Sequence, residues 1–155
     1  MITITLNVNN EDYRVEVVPY HTLRDVLRDE LGFTDVKTGC GEGECGGCTV
    51  LMDGKPVTSC LMLATQAQNK KITTARGLAT DDKLHPLQEK FIEYGAIQCG
   101  YCTPGMLLVA KALLDKNPNL GEEEIREAIT GNLCRCTGYQ QIVEAIMATA
   151  AEMDK

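Results

Sequence analysis

Residues 40–48 read CGEGECGGC, three cysteines and four glycines in nine positions. Glycine takes positive φ without steric cost, so this run is a loop able to wrap closely around something small. A thiol serves a protein as half of a disulfide, as a nucleophile or as a metal ligand, and the rest of the chain decides among these. The 155 residues hold eight cysteines in two sets. Cys40, Cys45, Cys48 and Cys60 lie in the first half, and Cys99, Cys102, Cys134 and Cys136 in the second.

The N-terminus, MITITLNVNNEDYRVEV, has no basic start, no apolar core of signal-peptide length and no small-residue cleavage site. No apolar run approaches the roughly 20 residues that cross a membrane. A cytoplasmic chain is expected, in which thiols stay reduced and clustered cysteines are metal ligands rather than bridges. Fifteen basic against 22 acidic residues give a net charge of −7. Both halves are acidic and neither carries a basic stripe, which argues against nucleic acid as a partner. Halves this small bury little core, and a bound metal is the usual staple for such units.

Working outward from the loop, Ile2, Ile4, Leu6 and Val8 alternate with polar residues, as do Tyr13, Val15 and Val17 beyond Asn9-Asn10, which predicts a β-hairpin. Thr22 and Asp25 have the spacing of a capping box ahead of a helical face of Leu23, Val26, Leu27 and Leu31, ended by Gly32. After the loop, TVLMD, a DG turn and KPVTSC predict a second hairpin carrying Cys60, and KITT a last short strand. The stretch ARGLATDDKLHP then changes the texture, closing on a proline suited to the first turn of a helix. Beyond it PLQEKFIEYG, PGMLLVAKALLDK, GEEEIREAIT and YQQIVEAIMATAAEM have helical periodicity, with cysteines in the turns between them. The expected fold class is α+β, a small mixed sheet with one helix in residues 1–75 and a helical bundle in 76–155. Met62, Met106 and Met147 read as core filler, and His21 and His85 as isolated side chains beside helix caps.

The first cysteine set is spaced C-x4-C-x2-C-x11-C, the plant-type iron–sulfur pattern, with Cys60 as the distant fourth ligand. A 2Fe–2S core takes two thiolates at each iron, and backbone N–H groups of a glycine-rich loop offset its negative charge. Gly41 to Gly46 also matches G-x-G-x-x-G, but cysteines interrupt it and a hairpin follows, so it is no dinucleotide site. The second set, C-x2-C-x31-C-x-C, suits either an iron–sulfur cluster or a four-cysteine zinc site on spacing alone. No catalytic grouping of Ser/His/Asp, paired carboxylates or a phosphate loop is recognisable.

Taken together, GCGEGECGGCTV, VTSC, QCGYCTPGM and GNLCRCTGY resemble the iron–sulfur subunit of the molybdenum hydroxylases, the xanthine dehydrogenase/aldehyde oxidase family. The resemblance implies a ferredoxin-like β-grasp domain followed by a four-helix bundle domain, each with one 2Fe–2S cluster. It implies that Cys40, Cys45, Cys48 and Cys60 hold the cluster nearer a flavin, and Cys99, Cys102, Cys134 and Cys136 the one nearer a molybdopterin. It further implies that Gln98 and Cys136 approach the pterin. The molybdopterin and FAD are then expected on partner subunits, with this chain a non-catalytic relay. Among the family's substrates, purines, nicotinate and other N-heterocycles are favoured over aldehydes, carbon monoxide and aromatic acyl-CoA compounds. A free-standing two-cluster ferredoxin and a zinc-stabilised interaction module are the competing classes.

Overall fold

A computed structural model of the chain describes residues 1–153. Strands β1 (Ile2–Val8) and β2 (Glu11–Val17) form the first hairpin, paired from Ile2 with Val17 to Val8 with Glu11. Asn9 and Asn10 both take left-handed backbone, φ 53° and 67°, as a two-residue turn matched to the strand twist requires. Asn9 also fixes a distant segment. Its Oδ1 accepts from the backbone N–H of Thr74 at 2.9 Å and its Nδ2 donates to the Thr74 hydroxyl at 3.0 Å.

The capping box between Thr22 and Asp25 starts helix α1 (Leu23–Asp25), which continues as a π-helical turn over Val26–Glu30. Leu23, Val26 and Leu27 are buried beneath it, and Gly32 at φ 76° ends it. Strands β3 (Thr49–Met52) and β4 (Lys55–Thr58) turn about Asp53-Gly54, and β5 is Lys71–Thr73. The sheet runs β2-β1-β5-β3-β4. Among the described strands only β1 and β5 are parallel, meeting at Asn7–Lys71 and Val8–Ile72; the other pairings are antiparallel.

The predicted second hairpin stops short of Cys60. Ser59–Leu61 is a 3-10 turn, because the buried Ser59 hydroxyl donates to the Cys48 carbonyl at 2.6 Å and curls the chain back. Cys60 is thereby folded toward the loop that holds Cys48.

Four helices follow: α2 (Pro86–Glu93), α3 (Thr103–Lys116), α4 (Glu122–Ala128) and α5 (Gln140–Met153). His85 is itself the N-cap of α2, its Nδ1 accepting from Leu87 N–H at 3.1 Å, with Pro86 in the first turn. Phe91, Met106, Leu108, Leu114, Ile142 and Ile146 form the centre of the helical core. Met147 does not join them. It is 39% exposed, since it lies about 100° around α5 from Ile146.

Two apolar cores result, and β3 serves both. Successive side chains on a strand point to opposite faces, so Val50 enters the core under α1 while Leu51 enters the helical core. Burying a leucine contributes about 1.5–3 kcal/mol, and here that gain ties the sheet to the helices.

Candidate metal centres

The loop from Gly39 to Cys48 turns its backbone amides onto sulfur. The N–H groups of Glu42, Glu44 and Cys45 lie 3.4, 3.2 and 3.4 Å from Cys40 Sγ. Those of Cys40 and Gly47 lie 3.4 and 3.5 Å from Cys45 Sγ. Donors aimed at sulfur favour thiolate over thiol. The Glu42 amide, followed by that of Cys45, brings the Cys40 thiol down to about 7, although desolvation opposes it. Cys60 goes the other way: burial, then the neighbouring Cys48, pushes it up to about 11. All four thiols of this set line one small cavity, with Arg24 and Lys37 also on its wall.

The second set assembles from two turns. Cys99 lies between α2 and α3, Cys102 is the N-cap of α3, and Cys134 and Cys136 lie between α4 and α5. Burial, then Cys134, pushes the Cys102 thiol up to about 12. Cys134 also feels burial, but the Thr137 hydroxyl at 3.1 Å and backbone amides outweigh it and leave the thiol lowered. The neighbouring Cys99 side chain raises Cys136. Cys99 and Cys136 are exposed, as is Gln98.

Within each set the thiols also act on one another: Cys48 and Cys40 raise Cys60, Cys134 and Cys99 raise Cys102, and Cys99 and Cys134 raise Cys136.

The two sets also meet. Leu133 N–H donates to the Cys45 carbonyl at 2.9 Å, and Asn132 Nδ2 to the Gly46 carbonyl at 3.1 Å. The Tyr101 hydroxyl donates to the Thr38 carbonyl, and Lys37 Nζ stands 5.8 Å from the Tyr101 ring centroid. A Cβ on Gly105 would run into the Gly46 carbonyl oxygen, so glycine there permits the approach.

Comparison with known proteins fits this arrangement. Residues 6–78 match the family model described as 2Fe-2S iron-sulfur cluster binding domain, and residues 74–147 the one described as [2Fe-2S] binding domain. The nicotinate dehydrogenase small FeS subunit of Eubacterium barkeri is 57% identical over 94% of this chain and 92% of its own length. A chain of quinoline 2-oxidoreductase from Pseudomonas putida superposes with a TM-score of 0.94 at 45% identity, covering 97% of this chain and 94% of that one. The aldehyde oxidoreductase of Desulfovibrio desulfuricans superposes with a TM-score of 0.94 at 47% identity, covering 99% of this chain but 17% of that longer one. This chain belongs to the iron–sulfur small subunits of the molybdenum hydroxylase family.

The residues of this small subunit suit two 2Fe–2S clusters. Thiolates are soft ligands selected by iron–sulfur clusters and zinc alike. The family models separate the two, since both halves of the chain match models described as 2Fe-2S binding. The amides around Cys40 and Cys45 supply the positive dipoles that an anionic cluster needs.

Spacing alone had singled out the eight cysteines. It missed Tyr101, Asn132, Gly105 and Arg24, which join or line the cages from elsewhere in the chain. QCGYC did put Tyr101 between two cysteines, but nothing local signals that its hydroxyl reaches Thr38.

Proposed function

We propose that this chain is the electron-transfer subunit of a multi-subunit molybdenum hydroxylase, working between a molybdopterin centre and FAD carried by larger partner subunits. The observation that carries this is the seam between the cages. The Cys45 carbonyl accepts from Leu133 N–H at 2.9 Å, and one peptide further on is Cys134. A hydrogen bond and short covalent stretches thus link the two thiol sets, as an electron relay requires. Each bound 2Fe–2S cluster supplies one-electron chemistry at a potential tuned by charge, hydrogen bonds and exposure.

On this reading Cys40, Cys45, Cys48 and Cys60 hold one cluster, and Cys99, Cys102, Cys134 and Cys136 the other. The two cores and the β2-β1-β5-β3-β4 sheet support a ferredoxin-like β-grasp domain over 1–75 and a four-helix bundle domain over 76–155, Asp154 and Lys155 lying outside the described residues. The exposed edge at Cys40 turns toward the flavin, and the one at Cys99 and Cys136 toward the pterin. Eight free cysteines suit a reducing cytoplasm, and no described helix is long and apolar enough to cross a membrane. An N-heterocyclic substrate is favoured, since the matched proteins include a nicotinate dehydrogenase and a quinoline oxidoreductase.

Gln98 precedes the exposed Cys99 and caps neither flanking helix: Tyr94 is the C-cap of α2 and Cys102 the N-cap of α3. Its amide, both donor and acceptor, is free to meet the mixed edge of a pterin. Gln98→Ala is expected to keep both clusters and the assembled complex while slowing cluster reduction by substrate or loosening the pterin. Wild-type reduction kinetics and pterin content in that variant would leave Gln98 a surface residue.

Metal content tests the function as a whole. Two domains with two irons each give four iron and four acid-labile sulfide per chain. The isolated chain should take electrons from dithionite yet oxidise neither N-heterocycle nor aldehyde. Stoichiometric zinc, or substrate turnover by molybdenum-free chain alone, would sink the proposal.

A further inference from the structure

We infer that Arg24 raises the reduction potential of the cluster caged by Cys40, Cys45, Cys48 and Cys60, an inference that rests on the ligand assignment above. Arg24 is not part of the cysteine loop. It stands on α1, and its side chain lines the same small cavity as all four thiols. Only 22% of that side chain is exposed.

The guanidinium is fixed in place. Its NH1 donates to the Thr38 hydroxyl at 3.1 Å, two residues before Cys40. Asp25 pairs with NH2, and Asp29 Oδ2 lies 3.3 Å from NH1. Its Nε is buried and makes no hydrogen bond within the protein. A cation already positioned costs no reorganisation when charge develops beside it.

One added electron puts one more negative charge on an already anionic group of thiolates and sulfides. A nearby cation stabilises the reduced state more than the oxidised one, and net charge is among the factors that set such potentials. The charges around the cage do not all act alike. Lys37 lines the cavity too, but its Nζ stands over the Tyr101 ring, between the two cages. Glu42 and Glu44 lie on the loop itself and oppose the cations. Asp25 and Asp29 oppose Arg24 more directly, yet neither lines the cavity. Asp29 is 57% exposed, so water and salt weaken its effect without abolishing it. Arg24 is the member of this triad that lines the cavity the four thiols share. Its effect favours electrons residing on the first cluster, at the end assigned to the flavin-bearing partner.

The test is an anaerobic redox titration of the iron-loaded full chain, with each reduced cluster read by its own EPR signal. Arg24→Gln is expected to disfavour reduction of the first cluster about tenfold, which for a one-electron couple is a shift of about 59 mV to more negative potential. The second cluster's midpoint should stay put. Arg24→Lys should retain most of the wild-type potential, and Asp29→Asn should move the first cluster to more positive potential. Equal shifts in the Gln and Lys variants would overturn the inference in favour of a packing role. So would an unmoved first midpoint in Arg24→Gln with both signals present. Should Arg24→Gln fail to hold iron, a negative or null shift in Asp29→Asn would overturn it equally. Wild-type chain without two iron–sulfur signals would instead bring down the ligand assignment, and the inference with it.

Discussion

Cys45→Ser is expected to strip the first cluster and leave the second, reducing iron from four per chain to two, half of what two 2Fe–2S domains carry. Cys102→Ser should do the reverse. Each serine removes one soft ligand from its set of four, and a hydroxyl stays protonated where a thiol ionises. Because the cage is absent from the unfolded chain, cluster binding is folding free energy, on the order of 10 kcal/mol if structural zinc is the guide. The half that loses its cluster should therefore loosen while the other keeps its apolar core. Iron analysis, visible circular dichroism and hydrogen exchange by region read the three effects. Loss of both clusters from either substitution in a chain that still folds would contradict two independent cages.

Gly46→Ala should be nearly as damaging without touching a ligand. Gly46 has φ +70°, and a Cβ there would lie 2.5 Å from both the Gly131 carbonyl oxygen and Asn132 Nδ2. Left-handed backbone costs an alanine about 1–2 kcal/mol, and overpacking typically adds about 1–3 kcal/mol. Asn132, only 4% exposed, would also lose its bond to the Gly46 carbonyl, leaving a buried donor at a cost of about 1–3 kcal/mol. The sum, roughly 3–8 kcal/mol, is a large share of the roughly 5–15 kcal/mol that holds a domain together. Gly41→Ala is the control. It has φ +72° but nothing within 4 Å of the added Cβ, so it carries the backbone cost alone. Gly46→Ala should lower the thermal bleaching temperature of the loaded chain well beyond Gly41→Ala and weaken the magnetic coupling between the reduced clusters. Equal behaviour of the two variants would mean that the seam yields freely.

Local chemistry made much of this legible in advance. Asn9-Asn10 and Asp53-Gly54 tolerate left-handed backbone, so both hairpins could be read from their turns. Thr22 with Asp25 and Pro86 mark helix starts through groups a few residues away. Helical periodicity gave α2 to α5, whose buried faces repeat every three to four residues. The eight cysteines announced themselves because ligand spacing is a property of the chain. Met147 failed because periodicity fixes a face only to within a residue, and one step on a helix is about 100°.

What the sequence by itself determined is therefore the list of elements, the α+β class and the eight thiols in two sets. Tertiary structure alone decided which of them meet. The parallel pairing of β1 with β5 joins residues more than 60 positions apart, and no local preference encodes it. The same holds for Leu51 entering the helical core, for the first four thiols lining one cavity, and for the Cys45–Leu133 hydrogen bond. Arg24 is the sharpest case. On the helix it reads as an ordinary surface arginine, and only the fold of residues 38–48 around α1 sets it on the cage wall. Contacts across that distance form because burial and closed hydrogen bonds repay the entropy of loop closure, which is a property of the whole fold and not of any stretch within it.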